Sequence, residues 1–195
     1  MKKVSLLILL LSVSLNLFGE DKFYYSRGKK IPLQEVKGKE VVIIPTVTSQ
    51  VAKIFGDKEK KEIGDKRLII NVLSDLNAAS LKTVKSLSIP VHIEQCYKDP
   101  QGFELTPTGY INLKLKAPGD HELLEKRAAE LGLQIIERNS FMPQWYELLI
   151  DFESGESVID IANRLYETGD FESCAPAFYF DAREKEKVIL TPLEE

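Results

Sequence analysis

The chain has 195 residues, 44% of them hydrophobic and 29% charged, with a formal net charge of −4. These ordinary fractions allow one good core or two small ones. The acidic excess disfavours nucleic acid and anionic membrane surfaces as partners, and no patch of Lys and Arg interleaved with aromatics offsets it.

Lys2 and Lys3 precede an apolar run from Val4 to Phe18, interrupted only by Ser5, Ser12, Ser14 and Asn16, and small Gly19 follows. This pattern predicts a cleavable secretory signal over residues 1–19. The competing expectation is a retained anchor, against which stand the short run and its polar residues. No cysteine lies near the cleavage point to support a lipid anchor. Removing Lys2 and Lys3 from the 26 basic residues leaves 24 against 30 acidic ones, so the secreted or periplasmic product would carry −6.

Residues 20–97 read as a small α/β unit. Phe23-Tyr-Tyr25, Ser26-Arg-Gly-Lys29 and Lys30 to Val36 predict an opening hairpin around Gly28, and Glu40 to Ile44 a strongly β-branched strand ended by Pro45. Thr48 or Ser49 suits the cap of a short helix through Phe55, and the alternating charges from Asp57 to Arg67 suit a solvated loop or hairpin end around Gly64. Leu68 to Leu73 reads as a buried strand, Ala78 to Leu87 as a helix and Pro90 to Tyr97 as another strand. The turn-rich stretch around Pro100, Gly102, Pro107 and Gly109 predicts a linker over residues 98–109.

From Tyr110 to Phe180 the apolar period switches from that of a strand to that of a helix and back, twice. Tyr110-Ile-Asn-Leu-Lys-Leu-Lys116 alternates, Leu124, Ala128 and Leu131 then repeat at helical spacing, and Gly132 stops the helix that Asp120 starts. Leu133-Gln-Ile-Ile-Glu-Arg138 turns through Asn139-Ser-Phe-Met-Pro143 into Trp145-Tyr-Glu-Leu-Leu-Ile-Asp-Phe152. A helix from Ser157 to Thr168 carries Val158, Ile161, Ala162, Leu165 and Tyr166 on one face, and Cys174 to Phe180 closes the series. The order is βαββαβ, a ferredoxin-like arrangement in which both helices cover one face of an antiparallel sheet and leave the other free. The fold class expected for the whole chain is α+β, and 181–195 is expected to be a charged tail.

Chemistry is hard to find in the sequence. His92 stands in a strand with Val91 and Ile93 facing the opposite way, and His121 lies in the first turn of the helix that Asp120 is expected to cap. Both fit surface or cap-adjacent positions better than catalytic ones. Triads assemble from distant segments, so spacing alone does not decide against a Ser-His-Asp set; no G-x-S-x-G, H-E-x-x-H, phosphate loop or calcium-loop spacing marks any site. Asp120, Glu122 and Glu125 are explained as favourable charges near a helix N-terminus. Cys96 and Cys174 leave two expectations open, a bridge tying the halves together or two buried unpaired thiols. No metal, cofactor or catalytic residue is expected, and the chain reads as a binder.

Phe23-Tyr-Tyr25 with Gly28-Lys-Lys-Ile-Pro-Leu33, Ile111-Asn-Leu-Lys-Leu-Lys116, Asn139-Ser-Phe-Met-Pro-Gln-Trp-Tyr146, Ala162-Asn-Arg-Leu-Tyr-Glu-Thr-Gly169 and Ala175-Pro-Ala-Phe178 together resemble the N-terminal pro-region of secreted bacterial subtilisin-like serine proteases. The resemblance implies a propeptide-like module that lays an open sheet face on a protease and threads its following segment into the cleft, as folding template and temporary inhibitor. The residues it would turn to the partner are Trp145, Tyr146, Ala175, Pro176, Ala177, Phe178, Tyr179 and Phe180, with Tyr110 on the same sheet. No protease domain lies within the sequence, so action in trans or a remnant of a split gene are the two expectations. Ala175 and Ala177 also replace the acidic residues the family commonly carries beside the proline. A periplasmic interaction module without a protease partner is the alternative.

The aromatic residues have a plainer reading as core. Strand alternation sends Trp145 and Tyr146 to opposite sides, so one ring packs under the helices, and Tyr166 sits at a core spacing. Phe178 and Phe180 share one parity, with Tyr179 on the other.

Overall fold

The computed structural model describes residues 22–44, 60–63, 68–73, 86 and 90–179. The expected signal segment, the helices at 48–55 and 78–87 (Ser86 apart, which is helical), Phe180 and the tail 181–195 lie outside the described residues.

The chain opens with a hairpin of β1 (Phe23–Ser26) and β2 (Lys29–Pro32), paired Ser26 to Lys29. Arg27 and Gly28 both take positive φ, 49° and 76°, the left-handed pair whose twist matches that of the flanking strands. Strand β3 (Gln34–Ile44) is longer than the Glu40–Ile44 run suggested, because a register shift between Glu35 and Glu40 absorbs Gly38 at φ 72°. Its end, Val41 to Ile44, is fully buried on both faces, as a continuous apolar run requires. Strands β4 (Lys60–Ile63) and β5 (Leu68–Leu73) pair as a hairpin, and β5 lies beside β3. On the other side of β3 runs β6 (His92–Lys98).

The residues expected as a linker, 98–109, are instead built into the sheet. Lys98 ends β6, Glu104 begins β7 (Glu104–Leu115), and the turn between them is closed by the Asp99 carboxylate, which accepts from Gln101 N and Phe103 N at 2.9 and 2.8 Å. Strand β7 pairs with β6 through Tyr97–Leu105 and Lys98–Glu104, with β9 (Trp145–Leu149) from Tyr110 to Lys114, and with β10 (Phe171–Tyr179) from Thr106 to Leu115. One eight-stranded sheet therefore runs β4-β5-β3-β6-β7-β9-β8, with β8 spanning Gln134–Arg138 and β10 hydrogen-bonded to β7.

Helix α1 (His121–Glu130) joins β7 to β8, and α2 (Val158–Glu167) joins β9 to β10. Around β7 the strands lie in the order β10-β7-β9-β8, every neighbouring pair antiparallel. The architecture is α+β with a mostly antiparallel sheet. Asp120 stands at the start of α1 but does not cap it, since its carboxylate reaches back to Ala117 N at 3.0 Å. Ser157 does cap α2, accepting from Ile159 N at 3.3 Å.

Two stripes of α2 are buried, and that arrangement decides where the N-terminal half sits. Val158, Ile161, Ala162 and Leu165 join a core with Ile111, Leu113, Leu115, Leu124, Leu148 and Cys174. The second stripe, Ile159, Asn163 and Tyr166, turns outward to the first hairpin: Asn163 Nδ2 donates to Phe23 O at 2.8 Å and the Tyr25 and Tyr166 rings lie 4.3 Å apart. Lys22 pairs with Asp160 at 2.6 Å and Tyr25 Oη donates to Glu167 at 2.9 Å. The first hairpin thus adds a layer to the helical side of the βαββαβ unit, while β3 to β6 extend its sheet beyond β7.

A buried carboxylate joins the two halves. Glu94 on β6 is 3% exposed; its Oε1 accepts from Val158 N and its Oε2 from Ser157 Oγ at 3.0 Å, so it closes the N-terminus of α2 from another strand. His92 Nε2 lies 2.9 Å from the same Oε1, which selects the tautomer carrying its proton there. Among the described residues no helix is long and apolar enough to cross a membrane.

Candidate functional site

The surroundings of the two histidines decide whether the fold assembles a nucleophile relay. His92, Glu94 and Ser157 do converge, but the carboxylate stands in the middle and accepts from both of the others. A serine nucleophile needs the imidazole between hydroxyl and carboxylate, so this constellation works as a helix cap and an interdomain clasp. His92 is 3% exposed and so not at the surface, while Ile93 beside it faces out at 36%. His121 is exposed, stacks on Tyr146 at 5.5 Å and pairs with Glu125 at 3.1 Å. Among the described residues no group of His, Cys, Asp and Glu is placed to hold a metal ion.

The sheet has two unlike faces. Ile111, Leu113 and Leu115 of β7, Tyr146 and Leu148 of β9 and Cys174 and Pro176 of β10 are buried toward the helices. On the opposite face stand Asn112 and Lys114, Trp145 and Glu147, Ser173 and Ala175, which are exposed or half-buried. This is the face opposite the helices and the first hairpin, and it is accessible in part. Its bareness is partial: Tyr110, on the same parity of β7, is 3% exposed within the core, and its phenol is pushed up by burial. Tyr110 therefore does not offer itself to a partner.

Trp145 and Tyr146 divide as alternation required. Tyr146 is 4% exposed beneath His121, with the Arg138 guanidinium 5.9 Å from its ring, so it belongs to the core. Trp145 is half-buried on the accessible face, 6.0 Å from the Lys114 ammonium, which also pairs with Glu172 at 2.6 Å. On β10, Ala175 lies on the accessible face and Pro176 is buried. A register shift between Pro176 and Phe178 then breaks the alternation of the strand. The Ala177 carbonyl accepts from Thr108 Oγ1 at 2.9 Å, and the Phe178 ring packs edge-on to Tyr24 at 5.2 Å. Phe178 is thereby committed to the chain's own first hairpin, and Tyr179 is half-buried. Of the expected partner-facing set, Trp145 and Ala175 share the accessible face, while Tyr146, Pro176 and Phe178 serve internal packing.

Both cysteines are free and buried, so the bridge weighed between Cys96 and Cys174 is not formed. Cys96 contacts Thr106 and Cys174 sits opposite Leu113 in the core. Burial pushes the Cys96 thiol up to about 11 and the Cys174 thiol higher still, which leaves both unreactive near neutral pH.

Two further residues, which lie in the expected Asn139–Pro143 turn but were not assigned to the partner-facing set, border the accessible face. Phe141 is 94% exposed and Met142 51%, and together with Asn112, Asn139, Trp145 and Glu147 they line a cavity of about 500 Å³. The signal was present in Phe-Met-Pro-Gln-Trp-Tyr, since two large apolar residues in a polar turn have no core to reach. Comparisons with protein-family models, with curated proteins and with solved structures find no match to this chain.

Proposed function

We propose that this chain is an exported, non-catalytic protein that binds a subtilisin-like serine protease, inhibiting it or assisting its folding, through a βαββαβ unit of ferredoxin-like order. The observation that carries the reading is the sheet face opposite the helices, where Asn112 is exposed and Trp145 and Ala175 are half-buried while the first hairpin packs on α2. Support also comes from the strand order β10-β7-β9-β8 with both helices on one side. An antiparallel sheet wet on one face supplies a flat, rigid platform, and a half-buried Trp supplies apolar area at small entropic cost. In this reading residues 181–195 add to the protease cleft as a strand.

Phe178 has a different task in this reading. Held by Tyr24, it fixes the end of β10 and so the point from which residues 181–195 depart.

The test is inhibition of a purified subtilisin-like protease by residues 20–195. Dose-dependent slowing is expected, weakened about tenfold by Trp145→Ala and more by deletion of residues 181–195, with the far-ultraviolet spectrum of both variants unchanged. Absence of any effect on proteolysis, with capture of an unrelated exported protein through the same face, would establish the alternative of an interaction module without a protease partner.

A further inference from the structure

The turn beside the accessible face is built to hold one side chain in solvent. Asn139 Oδ1 accepts from Phe141 N and Met142 N at 3.0 and 2.9 Å. Asn139 N donates to Trp145 O at 2.9 Å, Trp145 N to Met142 O at 2.8 Å, and Arg138 Nε to Pro143 O at 2.9 Å. Leu115 N donates to Gln144 O at 2.9 Å and ties the turn to β7. Pro143 removes one more backbone freedom. Such a cage fixes a backbone whose most prominent side chain, Phe141, stays 94% exposed and contributes almost nothing to the chain's own core.

Area gives a reason for this. A specific protein complex buries about 800 Å² of accessible surface on each partner. On this face of the βαββαβ unit only Asn112 is fully exposed, while Lys114, Trp145, Glu147, Ser173 and Ala175 are already half-buried, so its borders have area to add. The turn with Phe141 and Met142 lines the same cavity as Trp145, Asn112 and Glu147. Charge decides the kind of surface that receives it. With a net charge of −4 over the chain and Glu147 beside the ring, an anionic bilayer is disfavoured and a folded protein with an apolar pocket is favoured.

We propose that Phe141 is an anchor side chain, held ready by the Asn139 turn, for an apolar pocket on the protein that covers the accessible sheet face. This rests on the function proposed above and names the second point of contact with that protease. The ring enters the partner with its backbone already ordered, so the entropy of fixing it is met before binding.

The experiment is the inhibition constant of residues 20–195 against the protease, with four variants. Phe141→Ala is expected to weaken inhibition about 30-fold or more, as for a buried aromatic anchor, and Phe141→Leu less than about tenfold. Asn139→Ala, which keeps the ring but frees the turn, is expected to cost about fivefold. Ala175→Arg on the sheet face serves as the marker of the platform itself. Loss of inhibition with Ala175→Arg but an unchanged constant for Phe141→Ala overturns the anchor and leaves the proposed function standing; no inhibition by the unaltered chain overturns both. Binding of the chain to phosphatidylcholine vesicles that is abolished by Phe141→Ala would also overturn it, by showing a lipid as the receiver. Because Phe141 makes so little internal contact, its two variants are expected to leave the melting curve unchanged, while Asn139→Ala and Ala175→Arg are checked for a native far-ultraviolet spectrum at the assay temperature.

Discussion

Replacing Glu94 by alanine tests how the two halves are joined. The carboxylate accepts from Val158 N, from Ser157 Oγ at 3.0 Å and from His92 Nε2 at 2.9 Å, at a site where Glu94 and His92 are each 3% exposed. Truncation leaves the Val158 amide, whose bond to Glu94 is the helix cap, and the His92 ring without their acceptor at a buried site, at about 1–3 kcal/mol for each orphaned donor. The expected loss is about 2–6 kcal/mol, which spans the range for breaking a buried pair by removing one partner. Against a total stability of about 5–15 kcal/mol, that is a large share. Glu94→Gln keeps the shape and one acceptor oxygen but not the charge that faces the α2 N-terminus, so its cost is expected near about 1–2 kcal/mol. Urea unfolding followed by Trp145 fluorescence and by circular dichroism measures both, and hydrogen exchange in the first turn of α2 should accelerate in both variants. An alanine variant within about 1 kcal/mol of the unaltered protein would refute the clasp, because the donors would then have found another acceptor.

Further expectations come from the packing around β7 and from the thiols. Gly109 has φ 78°, and a Cβ there would stand 3.2 Å from Phe152 Cε1 and 3.6 Å from Ile43 Cδ1, so Gly109→Ala is expected to cost about 2–3 kcal/mol in urea unfolding. Gly38, at φ 72° with nothing within 4 Å, is the control: Gly38→Ala should cost only about 1 kcal/mol, and equal costs would show that crowding by Phe152 and Ile43 plays no part. Cys96 and Cys174 should resist iodoacetamide at pH 8 and label fully once the chain is unfolded, because raised thiol pKa values keep the thiolate scarce below about pH 9. Stoichiometric labelling of the native chain within minutes would contradict their burial.

Much of the second half could be read from residue order alone. Alternation in Tyr110 to Lys116, the stripe Val158, Ile161, Ala162 and Leu165 and the helix starting at Ser157 are all local patterns, set by neighbours two to four positions away, as is the Gly28 turn in the first half, and the structure contains each of them. The stretch from Lys98 to Gly109 misled for an equally local reason: Pro100, Gly102, Pro107 and Gly109 are breakers in most settings. Here Pro107 lies where the register of β7 and β10 shifts, a place that tolerates a missing N–H, and Gly109 supplies a positive φ at the approach of Phe152.

For the candidate site, sequence parity established that Trp145 and Tyr146 part ways but not which of them meets the helices. That choice belongs to tertiary structure, because it depends on where α1 packs, and His121 over Tyr146 settles it. The same holds for Phe178, which any reading of β10 alone leaves free and which Tyr24, at the far end of the described chain, takes for the core. Glu94 gives no hint of its cap, since the helix it closes begins 64 residues later. Residue order determined the elements and their apolar stripes, whose energetics are summed over a few neighbours. Only the folded chain decided which stripe meets which, because pairing between distant segments is chosen by shape, buried area and the satisfaction of buried polar groups together.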